Sequence, residues 1–292
     1  MSASLAGRPG ALAAQPVLEF AGVTLARGGA PILAGIDLEL RAGEVLGLLG
    51  RNGAGKTSLL RLASGALRPD AGHLRVGGDE LASLGRRELA RRVAVVPQDT
   101  AIPFAFRAFE IVLMGRSPHL GPLGFESRDD LARVRAALER VGIAQLAERS
   151  VLSLSGGERQ LVVVARALAQ DAPVLLLDEA TAFLDLRHRA HVLSLAREHA
   201  ARDGCAALVV SHDLALAARA CDRLALLAAG RVLAVGAPGE VLTAERVEQA
   251  FGLPVTVVAG PDGAPLVVPR APGAPARHAN LAPPIGPEKQ QP

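Results

Sequence analysis

Residues 50–57, Gly50-Arg51-Asn52-Gly53-Ala54-Gly55-Lys56-Thr57, set three glycines, a lysine and a hydroxyl at a spacing suited to phosphate. Glycines let backbone N–H groups close around a phosphate, the lysine reaches the outer phosphate oxygens, and a hydroxyl at position 57 can ligate Mg²⁺. The lysine is itself informative. Of the chain's 32 basic residues only Lys56 and Lys289 are lysines. Arginine is a planar fork and lysine a compact point charge, so a site that keeps lysine in an arginine-biased chain requires the point charge.

Other residues could act on the same phosphate. Asp178 and Glu179 end an apolar run, 174–177. Asp178 suits Mg²⁺, and Glu179 suits a base that orients and deprotonates water. Alternation along a strand would point the two apart. His212 follows a second apolar run and can reach a terminal phosphate. Ser211-His212-Asp213 is a poor hydrolase triad, because no Gly-x-Ser-x-Gly elbow occurs. Gln98, after the run 93–96, can touch metal or water and sense a moving neighbour. Ser155, Gly156, Gly157 and Glu158 form a capping box whose two glycines weaken the helix start. Capping does not need them, and bare glycines let an anion approach the backbone. This reads as a second phosphate site without its own lysine.

The elements that must hold these groups are legible as well. Residues 44–49 read as a buried strand and 58–66 as a helix, so the loop sits between them and the helix that Ser58 opens turns its positive end to the phosphates. Unbroken apolar strands belong to parallel sheets covered on both faces, and ligands gather at their carboxyl ends. The 292 residues are 50% apolar, ample for a core. Cys205 and Cys221 suit neither a disulfide framework nor a zinc site, which points to a reducing compartment. No apolar stretch is long enough for a membrane span, and no secretory signal is apparent. Arg86-Arg87 with Arg91-Arg92 reads as a solvated helix face rather than a nucleic-acid footprint; it could also lie near an anionic membrane surface. No nucleic-acid partner is expected. Residues 1–16 and the Pro-rich 271–292 read as flexible tails.

Taken together and in this order, these motifs resemble the nucleotide-binding subunits of ATP-binding-cassette (ABC) transporters. The resemblance covers nearly all of 17–260: 50–57 matches the Walker A loop, Gln98 the Q-loop, 154–160 the signature, 174–179 the Walker B strand, Leu184-Asp185 the D-loop and His212 the switch histidine. It implies an α/β P-loop NTPase fold over 17–270. That fold has a RecA-like core sheet with flanking helices, an antiparallel β subdomain and an inserted α-helical subdomain at about 99–158. It also implies ATP and Mg²⁺ as ligands, with Thr57, Gln98 and Asp178 at the metal. Lys56, Gln98, Glu179 and His212 would be catalytic. The implied partner is a second copy packed head to tail, each ATP lying between one copy's 50–57 and the other's 155–157, with Asp185 nearby. A separate membrane permease and, indirectly, a substrate-binding protein complete the assembly. The place implied is the cytoplasmic face of the cell membrane.

Three departures stand out. Arg51 replaces the usual proline. Phe183 is bulky beside Ala182, where the family has a small residue. The chain has no Tyr or Trp, and Arg27 stands where the family stacks an aromatic on adenine; a guanidinium can also stack on a base. The segment 104–119 and the C-terminal 236–255 resemble importers of ferric siderophores, haem and cobalamin, and nothing separates the three. An exporter shares every catalytic residue and is the nearer alternative; a soluble cassette acting on nucleic acid is the farther one. Phe104, Phe106, Phe109, Phe125 and Met114 suit either a groove for a permease helix or the helical subdomain's own core. His188 and His191 read as surface histidines.

Overall fold

Every residue of β3 (Val45–Leu49), β7 (Val174–Asp178) and β8 (Ala206–Val210) is buried, as strands sandwiched between covering layers must be. In the computed structural model, which describes residues 16–99, 102–121, 124–180 and 184–270, they lie side by side in a six-stranded sheet. Its order is β10-β9-β3-β8-β7-β6, with β6 at Val93–Val96, β9 at Arg223–Ala228 and β10 at Arg231–Gly236. All neighbours are parallel except β9 and β10. The expected tails, all but Pro16 of the first, and Ala182-Phe183 lie outside the described residues.

The parallel register decides where the chemistry goes. Leu48 pairs with Val210, Val210 with Asp178, and Leu177 with Val96. The strands therefore end almost level, and the segments leaving them emerge along one carboxyl edge.

A second, antiparallel sheet contains β1 (Pro16–Arg27), β2 (Ala30–Arg41), β4 (Ala71–Val76) and β5 (Asp79–Glu80), in the order β2-β1-β4-β5. Its inward residues, among them Leu18, Phe20, Ile36 and Leu38, share one apolar core with Leu46, Leu48 and Leu176 of the first sheet and with Leu59 of α1 (Lys56–Ala63). α2 (Arg86–Arg92) leads into β6. On the opposite face α5 (Gly156–Ala169), α6 (Leu186–Ala200) and α7 (Leu214–Ala220) cover the main sheet. The chain closes with α8 (Pro238–Val241), α9 (Ala244–Phe251) and the hairpin β11 (Val255–Ala259) and β12 (Pro265–Pro269).

The segment after β6 is helical: α3 (Ala108–Leu113), a 3-10 turn at Met114–His119 and α4 (Arg128–Val141), packed on α5. A buried ion pair holds it. Arg116 Nε donates to Asp130 Oδ1 at 2.9 Å and Arg116 also donates to the Ala169 carbonyl at 2.8 Å, tying the turn, α4 and α5 together. Asp130 also accepts from the Ser127 hydroxyl and backbone at the start of α4. Those Ser127 bonds, then Arg116, bring its carboxyl down to about 2.

Two expectations gain detail. Arg86, Arg87 and Arg91 of α2 are solvent-exposed as expected, but Arg87 and Arg91 also both donate to the Pro118 carbonyl, and Arg92 bonds Asp79, Glu88 and the Val76 carbonyl. They latch α2 to its neighbours. The aromatic segment divides. Phe109 packs against the core, whereas Phe104 and Phe125 are 65% and 76% exposed and Phe106 and Met114 are also open.

Arg116→Ala would leave Asp130 buried without its cation, so stability should fall by about 3 kcal/mol in denaturant unfolding at neutral pH. Because the Asp130 pKa is depressed in the folded state, its contribution is present at neutral pH and should fade as pH falls through the ordinary carboxylate range toward 2.

Candidate active site

Gly55 ends the phosphate loop with φ +104°, and a Cβ there would lie 2.6 Å from Leu33 Cδ2 and 3.2 Å from the Ile32 carbonyl. Only glycine lets the loop pack this closely on β2. Lys56 then starts α1. It is 4% exposed, and its ammonium curls back over the loop to donate to the carbonyls of Gly50 at 2.8 Å and Arg51 at 3.1 Å. Burial lowers its pKa, against the opposing pull of Glu179 and Asp178. A buried point charge is thus held beneath a loop of backbone amides.

Thr57 Oγ1 donates to Asp178 Oδ1 at 3.4 Å, joining α1 to the end of β7. Burial, then the neighbouring Glu179 charge, raises the Asp178 pKa. A buried carboxylate beside a hydroxyl is a hard oxygen donor set suited to Mg²⁺, and a cation there would relieve the two acids.

Glu179 has left the strand. Its φ is +46°, a left-handed conformation that costs a non-glycine residue about 1 kcal/mol or more. Strand alternation therefore does not carry past Asp178, and Glu179 turns onto the wall of the cavity. Its Oε2 accepts from Gln98 Nε2 at 2.9 Å and lies 3.8 Å from His212 Nδ1. Ser211 and Asp213 serve the local turn: the Asp213 amide donates to Ser211 Oγ, and Asp213 caps α7. His212 between them is left half-exposed.

The cavity of about 530 Å³ is lined by Ile32, Asn52, Gly53, Gly55, Lys56, Thr57, Ser58, Gln98 and Glu179. Ala54 is buried behind it and Arg51 is exposed, offering its carbonyl to Lys56. Ser155, Gly156 and Gly157 are not in the lining. They sit at the start of α5, where Ser155 and Glu158 form the capping box, and Ser155 and Gly156 face solvent. Asp185 caps α6, binds His188 and is also outside the cavity. Arg27 is exposed at the end of β1 and does not line the cavity. The sequence reading missed Ile32, which does. His191 contacts the Val141 carbonyl, and no group of three metal-binding side chains occurs among the described residues. No described helix is long and apolar enough to cross a membrane.

This arrangement can enclose a triphosphate against Lys56 and the loop amides, hold a divalent cation at Thr57 and Asp178, and set a carboxylate base where the chain of phosphates would end.

The family model described as "ABC transporter" matches residues 33–182. The hemin import ATP-binding protein HmuV of Gloeobacter violaceus is 47% identical over 261 residues, covering 87% of this chain and 94% of that protein. The cobalamin import ATP-binding protein BtuD of Halobacterium salinarum is 45% identical over 253 residues, covering 86% of this chain; the match spans 63% of that relative's length. Among solved structures, a chain assigned to a metal-chelate type ABC transporter, in an inward-facing conformation, superposes with a TM-score of 0.76 at 29% identity, over 88% of this chain and 99% of that one.

Lys56→Ala should weaken triphosphate binding about tenfold or more, since a charge-assisted bond is lost. Lys56→Arg should not restore it, because a planar fork cannot fold back under the loop. Titration with a fluorescent nucleotide reads both.

Proposed function

Because the chain belongs to the ABC transporter family, we propose that it is the ATP-hydrolysing subunit of an importer. It would drive uptake of an iron chelate, haem or ferric siderophore, or of cobalamin, through a separate permease, from the cytoplasmic face of the membrane. The observation that carries this reading is the convergence on one carboxyl edge of Lys56, Thr57, Asp178, Glu179, Gln98 and His212. The hemin and cobalamin import names of its relatives support the direction and the cargo.

Lys56 and the amides of 50–58 bind the phosphates. Thr57, Asp178 and Gln98 would hold Mg²⁺, which when bound offsets phosphate charge. Glu179 takes the proton of the attacking water, and His212 stands by the terminal phosphate. The left-handed backbone and the Gln98 amide hold Glu179 in place. Ser155 and Gly156 face solvent, with the half-buried Gly157 next to them, apart from the chain's own cavity, which suits closure over the nucleotide of a second, head-to-tail copy, with Asp185 beside it. The exposed Phe104 and Phe106 pack edge to face, with ring centroids 6.0 Å apart. They suit an apolar permease helix; Phe109 is half-buried against the core.

Glu179→Gln should cut hydrolysis about a hundredfold or more while ATP still binds. With ATP the variant should run as a dimer in size-exclusion chromatography; a monomer would count against the head-to-tail arrangement. A strain lacking this chain, fed haem, ferric siderophore or cobalamin separately, should fail on one of them. The wild type should restore growth and Glu179→Gln should not. Normal growth on all three would favour an exporter. Phe104→Asp should depress uptake more than basal hydrolysis, whereas Phe109→Asp should lower thermal stability.

A further inference from the structure

His212 sits on a backbone that is firmly fixed on one side and lightly built on the other. Upstream, β8 is buried in the main sheet, and the Ser211 amide donates to the Leu48 carbonyl. Downstream the chain enters α7 at once, with Asp213 as its cap. Among the described residues the His212 ring makes no hydrogen bond, and it approaches Glu179 Oε2 at 3.8 Å. Its place is therefore set by β8 and α7. The helix is only seven residues long, and the side chains it buries are Ala217, Ala218 and Ala220. A helix this short is marginal by itself, and alanine methyls bury little apolar area.

The C-terminal hairpin supplies what α7 lacks. β12 packs beside α7, and Val257 and Val267 lie with Leu214 and Leu216 on the margin of one core. The base of the hairpin is fixed to α9: Glu248 accepts from the Val255 amide at 3.0 Å and from Arg270, and the Arg270 amide donates to the Pro254 carbonyl. Its tip, Gly260-Pro261-Asp262-Gly263, is a turn closed by the Gly260 amide on the Ala264 carbonyl. That tip grips α7. Arg219 Nε and Nη2 donate to the two oxygens of Asp262 at 2.6 and 3.4 Å, and Asp262 Oδ1 also accepts from the Ala264 amide. An ion pair this open to water contributes little stability, but a two-point fork fixes direction. Neither partner lines the cavity. At a rise of about 1.5 Å per residue, Arg219 stands about 9 Å along the helix from Asp213.

We infer that the C-terminal hairpin is a strut that holds α7 in place and thereby sets His212 for hydrolysis, with Arg219 and Asp262 as positioning residues. This rests on the reading of His212 as a group that serves the terminal phosphate. A misplacement of about 1 Å can cost a hundredfold in rate, so an anchor remote from the cavity can govern turnover. The phosphate loop and Lys56 belong to other elements, and the strut leaves their hold on a nucleotide as it is.

The experiment is steady-state ATP hydrolysis by the full-length chain, with binding of a fluorescent nucleotide measured beside it. Arg219→Ala and Asp262→Ala should each lower kcat about tenfold and leave nucleotide affinity unchanged. The two together should cost no more than either alone. Arg219→Lys, which keeps the cation, should retain most of the rate. In a His212→Ala chain, assayed long enough to quantify its residual turnover, Arg219→Ala should have no further effect. Should the alanine variants fail to fold, Asp262→Asn decides the matter: it keeps an acceptor for the Ala264 amide, loses the charge and should lower kcat in the same sense. Full hydrolysis by both alanine variants would overturn the inference. So would parallel losses of rate and nucleotide affinity, which would make the hairpin a general support of the fold. A further tenfold loss in the His212→Ala chain would do the same, because the hairpin would then act elsewhere. Wild-type hydrolysis by His212→Ala itself would sink the reading of that histidine, and the inference with it.

Discussion

Four parallel strands ending level with one another are the constraint on which the site depends. β3, β6, β7 and β8 share a register in which Gly47, Val96, Leu177 and Val209 lie in one row. The loops that follow have nowhere to go but the same edge. A slip of two residues in any one pairing would carry its functional group about 7 Å along the sheet, beyond hydrogen-bond reach. The burial of all five residues in each of β3, β7 and β8 makes such slips costly, since each would expose apolar side chains.

The electrostatics of that edge are unbalanced. Lys56 is buried enough to lose part of its hold on a proton, while Asp178, buried beside Glu179, gains one more readily. For both groups burial disfavours the charged form. A polyanion would favour the lysine's charge and a divalent cation the acid's, so a metal–triphosphate complex suits both groups at once. Glu179 adds a conformational cost, with its left-handed backbone stabilised by the Gln98 contact. Strain of this kind persists where the surroundings over-determine it.

The helical segment is joined to this edge at both ends. Gln98 touches Glu179 and leads into α3, while α5 begins at the solvent-facing Ser155 and runs back against the main sheet. Within the segment, the Arg116–Asp130 pair and the Ala169 carbonyl make one body of the turn, α4 and α5. Ser155, as the cap of α5, belongs to that body. The exposed Phe104 and Phe106 lie on the same connection.

The sequence by itself determined the local chemistry: the loop 50–57, the apolar strands with their terminal acids, the helix start at Ser155, and the placing of Gln98 after a short strand. These are short-range properties, written in glycine positions, apolar runs and capping residues. The tertiary structure alone decided which groups meet. Strand alternation suggested that Asp178 and Glu179 would diverge, and Glu179 lines the cavity while Asp178 does not, but a left-handed turn beyond the strand, rather than alternation, brings Glu179 there. Arginine spacing on α2 suggested a solvated face, and it is exposed, but only the fold brings up Pro118, distant in sequence, whose carbonyl accepts from two of the side chains. The lack of Tyr and Trp drew attention to Arg27, whereas a one-residue bulge aims Ile32 at the cavity. A bulge is a mismatch between two strands and a left-handed residue answers to its surroundings, so neither leaves a mark in the local pattern from which a chain is read.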